Sequence, residues 1–274
     1  MTEQPDLPPL RDVIRDHGLG ARKSLGQHFL LDTNLTGRIA RAAGPLNGVN
    51  VIEVGPGPGG LTRALLAQDA AAVWAVEKDS RCIAALTDLQ TAYPNRFHIV
   101  EGDALKTDIA GLTPAPRAIV ANLPYNVSTV LLLQWLHQID AFQRMVLMFQ
   151  KEVADRLTAQ PGTKSYGRLS VVTQWLCDVR PLFNVSKQAF TPPPKVASTV
   201  VELIPRKKPL ADAVFSELEA VTQAAFGQRR KMLRSSLKSL GLDPAQAGIS
   251  PEARAEDLSV DAFCALARQL SARS

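Results

Sequence analysis

Short apolar runs rich in Val, Ile and Ala alternate with stretches of helical periodicity between about residues 50 and 150. The runs cover residues 51–54, 72–76, 97–100, 118–121 and 145–149 and are nearly continuous, which predicts strands buried on both faces. Residues 61–68, 80–91 and 127–138 carry apolar side chains at i, i+3 and i+4 and predict the intervening helices. Such alternation is the pattern of an α/β fold with a parallel sheet covered by helices. Further helices are expected at 151–159 and 166–176, and one more strand at 198–204. In Phe190-Thr191-Pro192-Pro193-Pro194-Lys195 the prolines remove backbone donors and predict a stiff loop without regular structure. After Pro205-Arg206-Lys207-Lys208-Pro209 the alternation stops, and residues 211–226, 229–240 and 260–270 all read as helices. The expected organisation is a domain of residues 1–206, with an N-terminal arm over 1–45, followed by a small all-helical domain over 207–274.

Composition narrows the class without naming a function. The 274 residues suffice for a full core, and 46% hydrophobic with 21% charged residues is the balance of an ordinary globular protein. Thirty-one Lys and Arg against 26 Asp and Glu leave a formal charge of +5, which permits an acidic partner. The three cysteines, Cys82, Cys177 and Cys264, are far apart and odd in number, so neither a disulfide framework nor a metal site is expected. The first 18 residues hold acids and prolines where a signal peptide needs a basic start and an apolar run. No apolar stretch approaches the ~20 residues that span a bilayer. A cytoplasmic protein is the expectation.

The candidate chemistry sits at successive strand ends. Val51-Ile52-Glu53-Val54 runs into Gly55-Pro56-Gly57-Pro58-Gly59-Gly60, a glycine turn before a helix start. Without Cβ atoms such a turn admits a ligand close to the backbone, and the helix N-terminus favours an anionic group. Gly55, Gly57 and Gly60 also fit GxGxxG, a weak pattern by itself. Glu77 ends the next strand, where a carboxylate can accept both hydroxyls of a ribose. Asp103 follows the third strand, placed to accept from an adenine amino group. Nicotinamide dinucleotides and S-adenosylmethionine both carry that nucleoside, so these residues leave the ligand open.

The fourth strand ends in Asn122-Leu123-Pro124-Tyr125. This turn resembles the signature of amino-directed adenine N6-methyltransferases, and the exocyclic adenine amine that the resemblance implies as substrate is a poor nucleophile because its lone pair is delocalised into the ring. The Asn122 side-chain oxygen and the Leu123 main-chain carbonyl can accept its two N–H bonds and favour a pyramidal nitrogen. Pro124 stiffens the turn, and Tyr125 offers a face on which a base can stack, worth about 1–3 kcal/mol. No strong base is needed, since the methylated nitrogen is acidic enough to lose its proton to solvent.

The Asn122 to Tyr125 turn does not stand alone. Together with Lys23-Ser24-Leu25-Gly26-Gln27-His28-Phe29-Leu30, the Glu53 to Gly57 loop, Tyr166-Gly167-Arg168-Leu169-Ser170, Phe190 to Val196 and Phe226-Gly227-Gln228-Arg229-Arg230-Lys231, it occurs in the order seen in the ribosomal RNA adenine dimethyltransferases. The similarity spans residues 22–240. It implies a Rossmann-like class I S-adenosylmethionine-dependent methyltransferase domain with a helical C-terminal domain. By the same resemblance the cofactor S-adenosyl-L-methionine would meet Gln27, His28, Leu30, Gly55, Gly57, Glu77, Lys78, Asp103, Ala104 and Asn122. Phe190 would close on the base opposite Tyr125. His28 stands where the family often has Asn. The implied activity is N6,N6-dimethylation of two adjacent adenosines near the 3′ end of small-subunit ribosomal RNA, by a monomer acting on the immature subunit.

Basic residues suit that partner. Arg229, Arg230, Lys231, Arg234 and Lys238 place five cations on an expected helix with no acid between them, and Arg206, Lys207 and Lys208 add a second cluster. The acidic segment 252–261 is expected to face solvent.

Overall fold

A computed structural model describes residues 5–21 and 26–273. Lys23, Ser24 and Leu25 of the arm motif lie outside the described residues. The chain packs as two units, one of residues up to 151 with Pro181–Ile204, the other of Glu152–Arg180 with the residues from Pro205 on.

The first unit carries α1 (Leu10–Asp16), β1 (Phe29–Leu30), α2 (Thr33–Ala42), β2 (Asn50–Val54), α3 (Gly60–Leu66), β3 (Ala72–Glu77), α4 (Ser80–Ala92), β4 (Phe97–Glu101), β5 (Arg117–Asn122), α5 (Ser128–Leu136) and β6 (Arg144–Gln150). The chain leaves it through α6 (Lys151–Leu157) and α7 (Arg168–Leu176), and returns along β7 (Cys177–Val185) to β8 (Phe190–Thr191) and β9 (Ser198–Pro205). Seven strands form one sheet in the order β4-β3-β2-β5-β6-β9-β7. The pairings among β2 to β6 are parallel and β9 runs antiparallel to β6. The five predicted central strands and the late one are all present.

The continuous apolar runs are explained by burial on both faces. Val51, Val73, Val120 and Val146 pack against Ile39 of α2, Leu65 of α3 and Leu86 of α4, while Ile52, Ile119 and Leu147, of opposite parity in their strands, are equally buried. The chain winds outward from β2 to β4, then crosses back to β5 on the other side of β2. Strand order therefore reverses between β2 and β5, and the crevice at their carboxyl ends is where such sheets bind ligands.

One proline-loop expectation is corrected. Phe190 and Thr191 do form a short strand, paired antiparallel with Leu30 and Phe29; only the following prolines stay irregular. Phe190 and Thr191 keep backbone N–H groups that a strand pairing can use; the prolines have none. The strand β7 was not expected, because its apolar residues are split by Arg180 and Pro181.

The second unit contains α6, α7, α8 (Phe215–Gly227), α9 (Leu233–Ser236) and α10 (Val260–Ser271). It departs from the expected continuous first domain, since residues 152–180 pack with the C-terminal helices. The Tyr166 to Ser170 motif makes that joint. Tyr166 is buried edge-on to Phe226, with ring centroids 6.0 Å apart, Arg168 pairs with Glu219 at 2.8 Å, and the Trp175 indole donates to the Ala211 carbonyl at 2.7 Å. The helix expected at 229–240 is absent as such. Met232 bridges Arg254, and the Leu233 and Arg234 N–H groups donate to the Ala253 and Pro251 carbonyls, which leaves one short turn of α-helix.

Candidate active site

The carboxyl ends of β2, β3, β4 and β5 surround a cleft of about 1030 Å³, its open mouth included. Every residue expected to hold the cofactor lines it, as do Leu123, Pro124 and Tyr125. Gly57 has φ +56°, and a Cβ there would come within 3.1 Å of the Phe29 ring. A Cβ on Gly60 would collide with the Leu30 carbonyl. The glycines thus serve two purposes, opening the turn to a ligand and letting the β1 arm lie against it.

Glu77 organises the floor. Its carboxylate accepts from the Gly57 N–H at 3.2 Å, and from the Lys78 and Asp79 N–H groups at 2.8 and 2.9 Å. Burial raises its pKa, and the three backbone donors oppose the rise. The same carboxylate that can bind a ribose therefore also fixes the glycine turn. Lys78 and Asp103, both half exposed, face each other with Nζ 3.6 Å from the carboxylate. Asp103 also accepts from the Leu105 N–H, so its turn is set locally.

Two carboxylates here were not singled out from the sequence. Glu53, 1% exposed on β2, accepts from the Thr62 hydroxyl at 2.6 Å, and burial raises its pKa to about 8. Asp79 caps α4 and is pulled down to about 2, chiefly by the Arg81 guanidinium. Gln27 reaches Asp79 at 2.9 Å, so this member of the arm is tied to α4 while lining the cleft. Leu19 and Val13 pack on Cys82 and Ala85 of the same helix, fastening the arm a second time. An acid inside an apolar strand was the available signal for Glu53.

At the end of β5, Asn122 Nδ2 donates to the His28 carbonyl at 3.3 Å. With Nδ2 so engaged, the side-chain oxygen of this cleft-lining residue is left as its acceptor. The Pro124 carbonyl accepts from Val127 and Ser128, which locks the turn onto the start of α5. Tyr125 is pinned by a 2.6 Å bond between its hydroxyl and that of Ser198 on β9, a contact with no local sequence signal. Burial raises the phenol pKa, so it remains a neutral hydroxyl.

Phe190 does not line the cleft. It is 3% exposed, packed into the sheet core by its ribbon pairing with Leu30. The ring beside Tyr125 is that of His28, with centroids 5.5 Å apart at 30°. Phe190 meets His28 edge-on at 6.4 Å, and His28 Nδ1 bonds the Pro192 carbonyl at 2.8 Å. The imidazole thus occupies the place expected for a base between the two aromatics.

A family model described as "Ribosomal RNA adenine dimethylase" matches residues 18–271. The chain belongs to the ribosomal RNA adenine dimethylase family. It is 65% identical to "Ribosomal RNA small subunit methyltransferase A" of Paramagnetospirillum magneticum over 98% of this chain and 97% of that one. The protein of the same name from Rhodospirillum rubrum is 62% identical over 97% and 93%. Among solved structures, a dimethyladenosine transferase from Plasmodium falciparum superposes with a TM-score of 0.76 at 28% identity, covering 90% of this chain and 98% of that one. Rossmann-like architecture and methyltransferase class are those of the dimethylase family, and the nicotinamide alternative falls away.

The basic residues fare unevenly. Arg229 pairs with Glu256 at 3.0 Å and donates to the Lys164 and Tyr166 carbonyls, while Arg234 lies 3.8 Å from Glu252. The acidic segment therefore does not simply face solvent. Folding brings its acids to the cations that the sequence kept apart, and buries Ala255 and Leu258 beside them. Arg206 donates to the Gln174 carbonyl at 3.2 Å. Lys207, Lys208, Arg230, Lys231 and Lys238 are exposed and have no ion pair among the described residues.

Proposed function

We propose that this protein dimethylates N6 of two adjacent adenosines near the 3′ end of small-subunit ribosomal RNA. The proposal places its work on the immature small subunit, as a monomer in the cytoplasm. The observation that carries the reading is the polarity of the Asn122 turn. With Nδ2 held by the His28 carbonyl, the Asn122 oxygen and the neighbouring Leu123 carbonyl are two acceptors for an amino group. An adenine N6 donates two hydrogens, and holding both draws the lone pair out of the ring plane, where it can attack.

The cleft residues fit S-adenosyl-L-methionine: a glycine turn that a Cβ would fill, Glu77 for the ribose and Asp103 for the adenine amine. When bound, that cofactor supplies an electrophilic methyl group. Gln27, His28 and Leu30 cover it from the arm; Lys78 and Ala104 flank its nucleoside. Tyr125 presents its face to the target base, and Phe190 becomes the far wall once His28 withdraws. Lys207, Lys208, Arg230, Lys231 and Lys238 supply phosphate contacts, with Arg206, Arg229 and Arg234, also engaged within the protein, beside them in the sequence.

The test is methyl incorporation into immature small subunits by the intact protein and by Asn122→Ala, with nucleoside analysis. Dimethyladenosine is expected from the former, and a loss of about 100-fold or more from the latter. The loss of methylation should exceed any loss of cofactor affinity measured by calorimetry, since Asn122 also faces the cofactor side of the cleft. Unchanged methylation by Asn122→Ala, or label found in protein or DNA, would overturn the reading.

A further inference from the structure

A shallow groove lies between the N-terminal arm and helices α2 and α3, outside the catalytic cleft. Three arginines from three separate elements line it: Arg11 of α1, Arg41 of α2 and Arg63 of α3. No Asp or Glu is among its lining residues, and none of the three makes an ion pair among the described residues. Charges of one sign drawn together from distant sequence positions repel each other unless something anionic answers them.

Two of the arginines, Arg63 and Arg41, are held at the groove. Arg63 is half-buried, its Nη1 donates to the Pro8 carbonyl at 2.6 Å, and its buried Nε has no hydrogen-bond partner. Burial without a carboxylate lowers its pKa, the sign of a cation left short of solvation. Arg41 lies back along its helix over Gly37, with Nη1 3.1 Å from where a Cβ would stand, so the glycine admits the guanidinium to the groove wall. Guanidinium forks suit phosphate oxygens, which they bind with paired N–H bonds.

The groove adjoins the cleft, with Leu30 packed on Gly60 as a wall common to both. We propose that it holds the phosphodiester backbone of the RNA substrate, a phosphate track beside the residues that receive the target base. This rests on the RNA substrate proposed above. The occupant is chosen by charge: three cations, no acid, on a groove that shares a wall with the cleft proposed to take the base. Contacts of this kind position a strand without reading its sequence.

The test uses the full chain with both arginines of the rim neutralised, Arg11→Gln with Arg41→Gln. Arg63 is left intact because it also holds the Pro8 carbonyl. Binding to a small-subunit ribosomal RNA fragment is followed by fluorescence anisotropy over a salt series. Each phosphate contact contributes about 0.7–0.9 to the slope of log affinity against log salt, so the double variant should lose about 1.4–1.8 of slope. S-adenosylmethionine affinity and thermal stability should match the parent. A parental slope in the variant overturns the phosphate track. So does a parallel loss of cofactor affinity, which would make these arginines supports of the arm. Failure of the parent chain itself to methylate RNA would instead refute the proposed function, so the two outcomes are separable.

Discussion

Replacing Glu53 by Gln tests the electrostatics of the cleft with one isosteric change. Glu53 is 1% exposed, accepts one hydrogen bond from the Thr62 hydroxyl, and has its pKa raised to about 8 by burial, with Glu77 nearby adding to the rise. In the unfolded chain the same carboxyl titrates near 4.5. Between those values the folded state holds a proton that the unfolded state has released, so stability falls as pH rises from about 4.5 through 8. At about 1.4 kcal/mol per unit, the penalty at pH 9 is on the order of 5 kcal/mol relative to acid conditions. Gln keeps the acceptor for Thr62 and cannot ionise. Urea unfolding from pH 5 to 9 should therefore show Glu53→Gln gaining on the parent with each unit of pH, then running parallel above about 8. Glu77 titrates in both proteins, and its coupling to Glu53 is part of the difference that the substitution removes. Parallel curves across the whole range would mean that Glu53 is solvated or charge-paired, and the reasoning about a dry cleft floor would fail.

Two further substitutions probe the arm. Gly60→Ala drives a methyl group into the Leu30 carbonyl and within 3.1 Å of Leu10; overpacking of this kind costs about 1–3 kcal/mol. Melting temperature and calorimetric cofactor affinity should both drop, and a variant matching the parent in both would show that the arm does not rest on the glycine turn. His28→Ala removes the imidazole beside Tyr125 but keeps the carbonyl that orients Asn122. If the ring must leave before a base enters, losing its aromatic contact and its bond to Pro192 should lower KM for RNA about 2- to 10-fold. A 2-aminopurine at the target position should then brighten more in the variant, and a raised KM would refute the displacement.

The parallel core was legible because its strands are buried on both faces, so residues such as Ile119 and Val120 are apolar without alternation and mark their own ends. The glycine turn, Glu77 and Asn122 were legible for a related reason: each follows such a strand directly, so its position in the fold is its position in the sequence. What escaped depends on pairing across distance. Ser198 reaches Tyr125 from an antiparallel strand 73 residues later, and no local pattern around Ser198 announces it. Arg229 and Glu256, 27 residues apart, cancel only after the chain turns back through the Met232 and Arg254 bridge. A sequence reading weighs charge by proximity along the chain, and there the run at 229–238 has no acid within it. Folding weighs charge by proximity in space, and it selects a different set of free cations: Arg230, Lys231 and Lys238, together with Arg11 and Arg41, which stand alone in sequence and were passed over for that reason. The same distinction bears on His28. Its sequence neighbours place it on an arm over the cofactor, yet its carbonyl, ring and Nδ1 meet Asn122, Tyr125 and Pro192. One residue thus joins the amine-binding turn, the stacking face and the loop behind it. On the proposed reading His28 is therefore part of the wall beside Tyr125 as well as of the cover over the cofactor, and changes at His28 should alter RNA and cofactor affinity together.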